Sequence, residues 1–338
     1  MKQQNKQRGF VLVTVLMMVG LLMVLVVGLH RRARIALRTA TAAQTHEQSF
    51  NCARAGLNAA IAAIYENHNI TGTGPLAQLL NGHDMLRIGG GTCSIMLEAE
   101  NGRLNVNMLQ DDHGKLQRAR INQLLLLIDL VNQQSPRRNR ISYEVAPALI
   151  DWTDADDKPT VLTFVRGANR GAESTYYLGL AEPYHCANRP LETIGELGLV
   201  KGLGKHVFAG AAGDGQTDGH SDLRQYITVY GDGKVDINQA PVLVVQSLCD
   251  LIEPGLAQYI VDRRNHRPFE RPEELLQMPG VTPKIYSAVS DFITTGSLQR
   301  YYRVRACGTV RHISRTITAV LKQNTTDNTI EIIWYQES

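Results

Sequence analysis

Carboxylates crowd one stretch of this chain. Asp151-Trp152-Thr153-Asp154-Ala155-Asp156-Asp157 places four acids in seven positions, the densest set of hard oxygen donors in the sequence. Calcium collects several carboxylate and carbonyl oxygens, so Asp151, Asp154, Asp156 and Asp157 are candidate ligands. Alternation lets Asp154 and Asp156 converge on one ion, and Glu173, in Gly171-Ala172-Glu173, can add a ligand from the next loop. The spacing does not complete an EF-hand. The same residues also read as a helix cap followed by a solvated turn, with Asp154 as the cap. A second acidic stretch, Gly213 to Asp222, reads better as a flexible glycine-rich linker than as a calcium loop. It is not a nucleotide loop, because no Gly-Lys-Ser/Thr follows it.

A repeat bears on a different chemistry. Arg189-Pro190-Leu191-Glu192 returns 78 residues later as Arg267-Pro268-Phe269-Glu270, and Glu196-Leu197, Gly202-Leu203 and Val207-Phe208 return at the same offset as Glu274-Leu275, Gly280-Val281 and Ile285-Tyr286. Each copy has the form helix, glycine turn, helix, which resembles the helix-hairpin-helix that meets DNA phosphates with backbone N–H groups. Pro279 and Pro283 remove two such donors from the second copy. Seven of the 35 basic residues fall in residues 1–38, which leaves 28 against 32 acidic ones in the remainder. That balance argues against a nucleic-acid partner, and glycine then serves a tight turn between packed helices. There is no G-x-S-x-G elbow and no H-E-x-x-H helix, so the sequence presents no catalytic constellation.

The elements that must position these residues alternate in type. Cys93, Ile95, Leu97 and Ala99 mark a half-buried strand; Leu104, Val106 and Met108 mark another, and Asn101-Gly102 between them is a type I′ turn pair. A helix follows on the stripe Leu116, Leu124, Leu127, Ile128 and Val131, ending before Ser135-Pro136. From Pro147 to Leu298 the pattern is helical with many glycine and proline interruptions, and strands return at Tyr301–Val310, Ile313–Leu321 and Ile330–Tyr335. The helical block therefore reads as inserted between strands of one sheet. Five scattered cysteines, Cys52, Cys93, Cys186, Cys249 and Cys307, form neither a zinc pattern nor a stapled miniprotein.

Upstream, the twenty positions Phe10 to Leu29 carry no charge. As a helix they span roughly 30 Å, enough to cross a bilayer core. The polar leader Met1–Arg8 is short and basic, and no A-x-A site follows the apolar run, so the helix is retained and any cut falls at Gly9–Phe10. Basic residues flank both ends, so charge alone does not orient it. Beyond His30 the helix continues to about Asn67 on the stripe Phe50, Ala53, Leu57, Ile61 and Ile64, and Thr71–Pro75 ends it.

These pieces resemble a known family. The leader, Gly9, Phe10 and the immediate apolar helix are similar to a type IV prepilin signal. Gly102–Met108, Leu149–Asp157, Gly171–Tyr177, Ala187–Gly202, Val235–Pro241 and Phe269–Gly280 resemble, in order, the general secretion protein K family, minor pseudopilins of bacterial type II secretion. The resemblance implies an α+β pilin-like fold: a leader at 1–9, a membrane helix at 10–29, and a stem helix with the first part of the αβ domain at 30–146. It further implies an inserted helical domain at 147–298, carrying the two helix-hairpin-helix-like repeats, and closing strands at 299–338. It implies prepilin peptidase cleavage after Gly9, N-methylation of Phe10, a periplasmic domain on the inner membrane, and other minor pseudopilins as partners at a pseudopilus tip. Structural calcium at Asp151–Glu173 is also implied, without a ligand-by-ligand assignment. Most pilin-like subunits carry glutamate at the fifth mature position, here Thr14. A lone buried carboxylate costs roughly 2.5–3.5 kcal/mol at mid-membrane, so an uncharged residue there suits a subunit at a filament end, though simple drift gives the same residue. The rival expectation is a membrane-anchored helix-hairpin-helix protein of DNA uptake.

Overall fold

The computed structural model describes residues 5–66, 85–111, 113–135, 140–165, 167, 169–204 and 223–338. Thr71–Pro75, Val207-Phe208 and Gly213–Asp222 lie outside the described residues. One unbroken helix, α1 (Asn5–Glu66), opens the chain. At 1.5 Å per residue it is roughly 90 Å long. Phe10 to Leu29 are exposed on every face, and burial begins only at Thr45. From there Ser49, Cys52, Ala53, Leu57, Ala60 and Ile64 form the buried stripe, with Phe50 and Ile61 on its flanks.

That stripe lies on a five-stranded antiparallel sheet of order β1-β2-β7-β8-β9. Its strands are β1 (Met85–Ile88), β2 (Gly91–Ala99), β7 (Gln299–Val310), β8 (Ile313–Asn324) and β9 (Ile330–Glu337). Period-two alternation puts Cys93, Ile95, Leu97, Tyr302, Val304, Ala306, Ile317, Ala319 and Leu321 against the helix. Two glycines set the spacing. A Cβ on Gly308 would lie 2.1 Å from the Ser49 carbonyl oxygen and 2.4 Å from the Ala53 nitrogen, and one on Gly56 would lie 2.3 Å from Cys93 Sγ. Helix and sheet therefore touch nearly backbone to backbone.

The expected hairpin at Asn101-Gly102 does not form. β2 instead turns through Gly89 and Gly90, both at positive φ, to pair with β1. Asn101 works with its side chain: Oδ1 accepts the Tyr301 N–H at 2.7 Å and Nδ2 donates to the Gln299 carbonyl at 3.0 Å. Gly102 is small because a Cβ there would sit 2.5 Å from the Gln239 carbonyl carbon. The chain thus leaves the sheet after Ala99 and returns at Gln299, opposite its exit. The insertion accordingly begins near Glu100 rather than at Pro147. It takes in β3 (Leu104–Asn105) and α2 (Arg118–Gln134), whose Ile121, Leu124, Leu127, Ile128 and Val131 belong to its core.

The insertion is built twice on one plan. In the first copy β3 pairs in parallel with β4 (Ile227–Thr228); in the second, β5 (Val235–Asp236) pairs in parallel with β6 (Ile293–Thr294). After each first strand an asparagine clamps the repeated Arg-Pro segment. Asn107 exchanges hydrogen bonds with Leu191 N–H and C=O and donates to the Val229 carbonyl; Asn238 does the same with Phe269 and Thr295. Glu196 and Glu274 then each accept two backbone N–H groups, at Glu192 and Thr193, and at Glu270 and Arg271. The first copy surrounds one apolar core with α2, α3 (Val145–Thr153) and α4 (Ser174–Tyr177). The second surrounds another with α5 (Val242–Ser247), α6 (Pro254–His266) and α7 (Pro283–Val289).

Candidate metal centre

α3 is buried almost throughout and carries Asp151 and, at its C-cap, Asp154. An irregular loop then returns to Glu173, the residue before α4. Asp151, Asp154 and Glu173 each bring a carboxylate oxygen to within 4.8 Å of the others. Asp151 and Glu173 are almost inaccessible, and Asp154 is half-buried. Asp151 Oδ1 accepts the Thr160 N–H at 2.8 Å, which pins the loop to the helix. Asp151 Oδ2, Asp154 Oδ1 and both Glu173 oxygens are buried with no hydrogen-bond partner. Gly171 makes the close approach: a Cβ there would fall 2.1 Å from Asp151 Oδ2.

Four unpartnered oxygens from three acids cannot all carry charge in such a site without a counter-charge. Burial, with Asp151, Asp154, Asp157 and Asp156 as neighbouring negative charges, pushes the Glu173 carboxyl up to about 8. Burial and then the charges of Asp151 and Asp156 push Asp154 up to about 6. Burial raises Asp151 too, opposed by its Thr160 hydrogen bonds. A hard divalent cation would supply what these donors lack, and the all-oxygen set fits calcium better than a soft metal. The wall behind is aromatic. Trp152 and Tyr177 meet edge to face at 5.1 Å and Tyr177 stacks on Tyr184 at 5.2 Å, which keeps the local dielectric low.

Of the five acids singled out in the sequence, three meet. Asp156 and Asp157 stay exposed outside the group, so the alternation of Asp154 and Asp156 does not bring those two together. Asp156 Oδ1 accepts the Lys158 N–H at 2.7 Å, folding the acid back on its own turn. Asn188 is the residue the sequence reading missed. It sits at φ 46, and its Nδ2 donates to the Asp156 carbonyl at 3.1 Å and to Asp157 Oδ1 at 3.4 Å. Its own Oδ1 is buried and unpartnered. An asparagine just before the repeated Arg-Pro was the available signal, since only the first copy has one there.

The other sequence candidates lie elsewhere. α1 runs straight across Gly9–Phe10, and Thr14 Oγ1 donates back to the Phe10 and Val11 carbonyls at 3.1 and 2.9 Å. In the second hairpin three arginines are spent internally. Arg264 is bound to the Ile237 carbonyl, Arg263 lies 3.8 Å from Glu274, and Arg267 lies 3.7 Å from Glu270. Arg271 and Lys284 stay exposed in the same hairpin.

A long stem helix, bare in its first half and laid on an antiparallel sheet in its second, with a helical domain spliced between adjacent strands, defines a pilin-like α+β fold with an insertion. The family model "Type II secretion system (T2SS), protein K" matches residues 102–212, and "Helix-hairpin-helix motif" matches residues 231–294. Type II secretion system protein K of Pseudomonas aeruginosa is 26% identical over 302 residues, which cover 84% of this chain and 81% of that protein. The crystal structure of the GspK-GspI-GspJ complex from enterotoxigenic Escherichia coli contains a chain similar in fold, with TM-score 0.64 and 18% identity over 89% of this chain and 99% of that one. Over most of its length the chain is similar to type II secretion system protein K.

Proposed function

We propose that this chain is a minor pseudopilin of type II secretion, a non-enzymatic subunit of the pseudopilus tip that helps initiate or limit assembly for the export of folded proteins. The carrying observation is α1 itself: Phe10–Leu29 is uncharged, exposed on every face and packed on nothing among the described residues, while the second half is fixed to the sheet. Such a helix suits a bilayer before assembly and the stems of partner pseudopilins afterwards. The insertion, joined only where β2 ends and β7 begins, adds a bulk that would block addition beyond it. Thr14 bonds to its own helix and has no charge to pair, which suits a terminal subunit.

In this reading prepilin peptidase cuts after Gly9, Phe10 becomes the methylated N-terminus, and the domain stands in the periplasm on the inner membrane. Calcium at Asp151, Asp154 and Glu173 would be structural, neutralising the buried carboxylates and fixing the α3–α4 loop. Mass spectrometry of the mature chain tests the assignment. N-methyl-Phe10 is expected; an intact Met1, or a cut well beyond Leu29, would sink it.

A further inference from the structure

Where α1 leaves its apolar run it becomes strongly basic: Arg31, Arg32, Arg34 and Arg38 follow Leu29, and the first acid is Glu47. A second source of positive charge comes from far away in sequence. The turn between β7 and β8 presents Arg311 and His312, both exposed, with exposed Arg315 just beyond. Turn and helix share one open groove of about 400 Å³, lined by Leu37, Arg38, Thr41, Thr45, Arg311 and Ile313 among others. None of Arg38, Arg311 and Arg315 has an ion-pair partner among the described residues.

Arg311 is held at φ +56, a left-handed conformation that a two-residue hairpin turn ordinarily gives to glycine or asparagine. An arginine kept against its backbone preference, and lining the same groove as an unpaired helix arginine, is a feature to explain by what the side chains bind. Leu37 lies eight residues past Leu29, roughly 12 Å along the helix. The interfacial layer is roughly 5–8 Å deep on each side, and membrane helices tilt by up to about 40°. A moderate tilt toward this face therefore brings the groove mouth to phosphate level, with the apolar floor of Leu37 and Ile313 facing the glycerol region.

We infer that this groove is an anionic-phospholipid site: Arg38 and Arg311 clasp one headgroup phosphate and hold the domain leaning on the bilayer from which α1 emerges. The inference rests on Phe10–Leu29 spanning a membrane and not on any role in a filament. The occupant is a lipid because the groove continues the basic collar of the anchor, and basic side chains near an anionic surface are drawn to it.

The test uses the full chain in nanodiscs of zwitterionic phosphatidylcholine, or of the same lipid with about one third phosphatidylglycerol, followed by amide hydrogen exchange. Incorporation into either disc reports the anchor; lipid dependence of the turn reports the groove, so the two readings fail separately. Expected is exchange at Arg311-His312 slowed several-fold in the anionic discs, returning to the zwitterionic rate in the double variant Arg38→Gln/Arg311→Asn. Asparagine tolerates the positive φ, so that variant keeps its turn. Equal exchange in both discs, or lipid protection confined to residues 30–38, overturns the site and leaves the groove to an acidic segment of a partner protein.

Discussion

Glu173→Gln separates a structural cation site from a mere cluster of acids, and the proton count makes the test quantitative. Glu173 titrates near 8 and Asp154 near 6 in the cation-free protein. At pH 7 the first is then mostly protonated and the second mostly ionised. A divalent cation binds the ionised carboxylates, so binding must expel about one proton per ion at that pH. Asp151, shifted in the same direction, can only add to the count. Calorimetric titration of calcium in buffers of different ionisation enthalpy reads this number from the slope of apparent heat against buffer heat. The expected slope is about one for the native chain and near zero for Glu173→Gln, with affinity falling at least about tenfold as one of three carboxylates is lost. A native slope near zero at measurable affinity would mean that the carboxylates are already ionised without the cation, and the burial argument would be wrong. Absence of calcium binding up to the millimolar range would remove the site altogether.

Other consequences follow from the same geometry. Without cation, Glu173 holds its proton more tightly folded than unfolded, so stability should fall as pH rises from its unperturbed 4.5 through about 8; the thermal-midpoint gap between calcium and chelator should therefore widen from pH 6 to pH 8. Gly171→Ala would place a methyl 2.1 Å from Asp151 Oδ2 and should abolish the calcium-dependent rise in the melting midpoint. Gly308→Ala meets the α1 backbone at Ser49 and should cost about 2 kcal/mol or more in urea unfolding, because neither helix nor sheet can yield locally. Asn238→Ala leaves three backbone partners unpaired and should cost about 1–3 kcal/mol; faster proteolysis should appear first in residues 231–296.

Much of this architecture is legible in the sequence because one period governs each element. The apolar run, the stem stripe through Ala53, Leu57 and Ile64, and the closing strands follow directly from periods of 3.6 and 2, and all three strands appear within three residues of their expected ends. Residues 104–108 mislead for a physical reason. Leu104 and Val106 alternate with asparagines as a strand would, but Asn105 and Asn107 spend their side chains on the backbones of Gly231, Leu191 and Val229. Local alternation there records buried clamps rather than an exposed face. Gly102 misleads similarly, since its small size serves a close approach to Gln239 and no positive φ. Such pairings lie more than eighty residues apart, and no window of local pattern contains them.

The placement of the carboxylates follows from comparing the two copies. The second closes its asparagine clamp across 31 residues, from Asn238 to Phe269; the first spans 84, from Asn107 to Leu191. The extra chain of the first copy holds α3, α4 and the loop between them, which among the described residues carries one isolated bridge, Val161 to Arg170, and no strand. Of the described apolar side chains in that loop, Leu162, Val165 and Ala172 reach the core, against the ordering entropy of the whole crossing. Asp151, Asp154 and Glu173 stand at its two ends, and their unpartnered oxygens make the apo loop weaker still. A cation bound at that point joins the two ends of the loop and removes the repulsion between them. The second copy, with its shorter crossing, has no such loop to tie down, and among the described residues it gathers no comparable acidic group. A cation held there would therefore close an enlarged repeat, and its removal should loosen the first copy of the insertion while leaving the second copy and the α1–sheet packing intact.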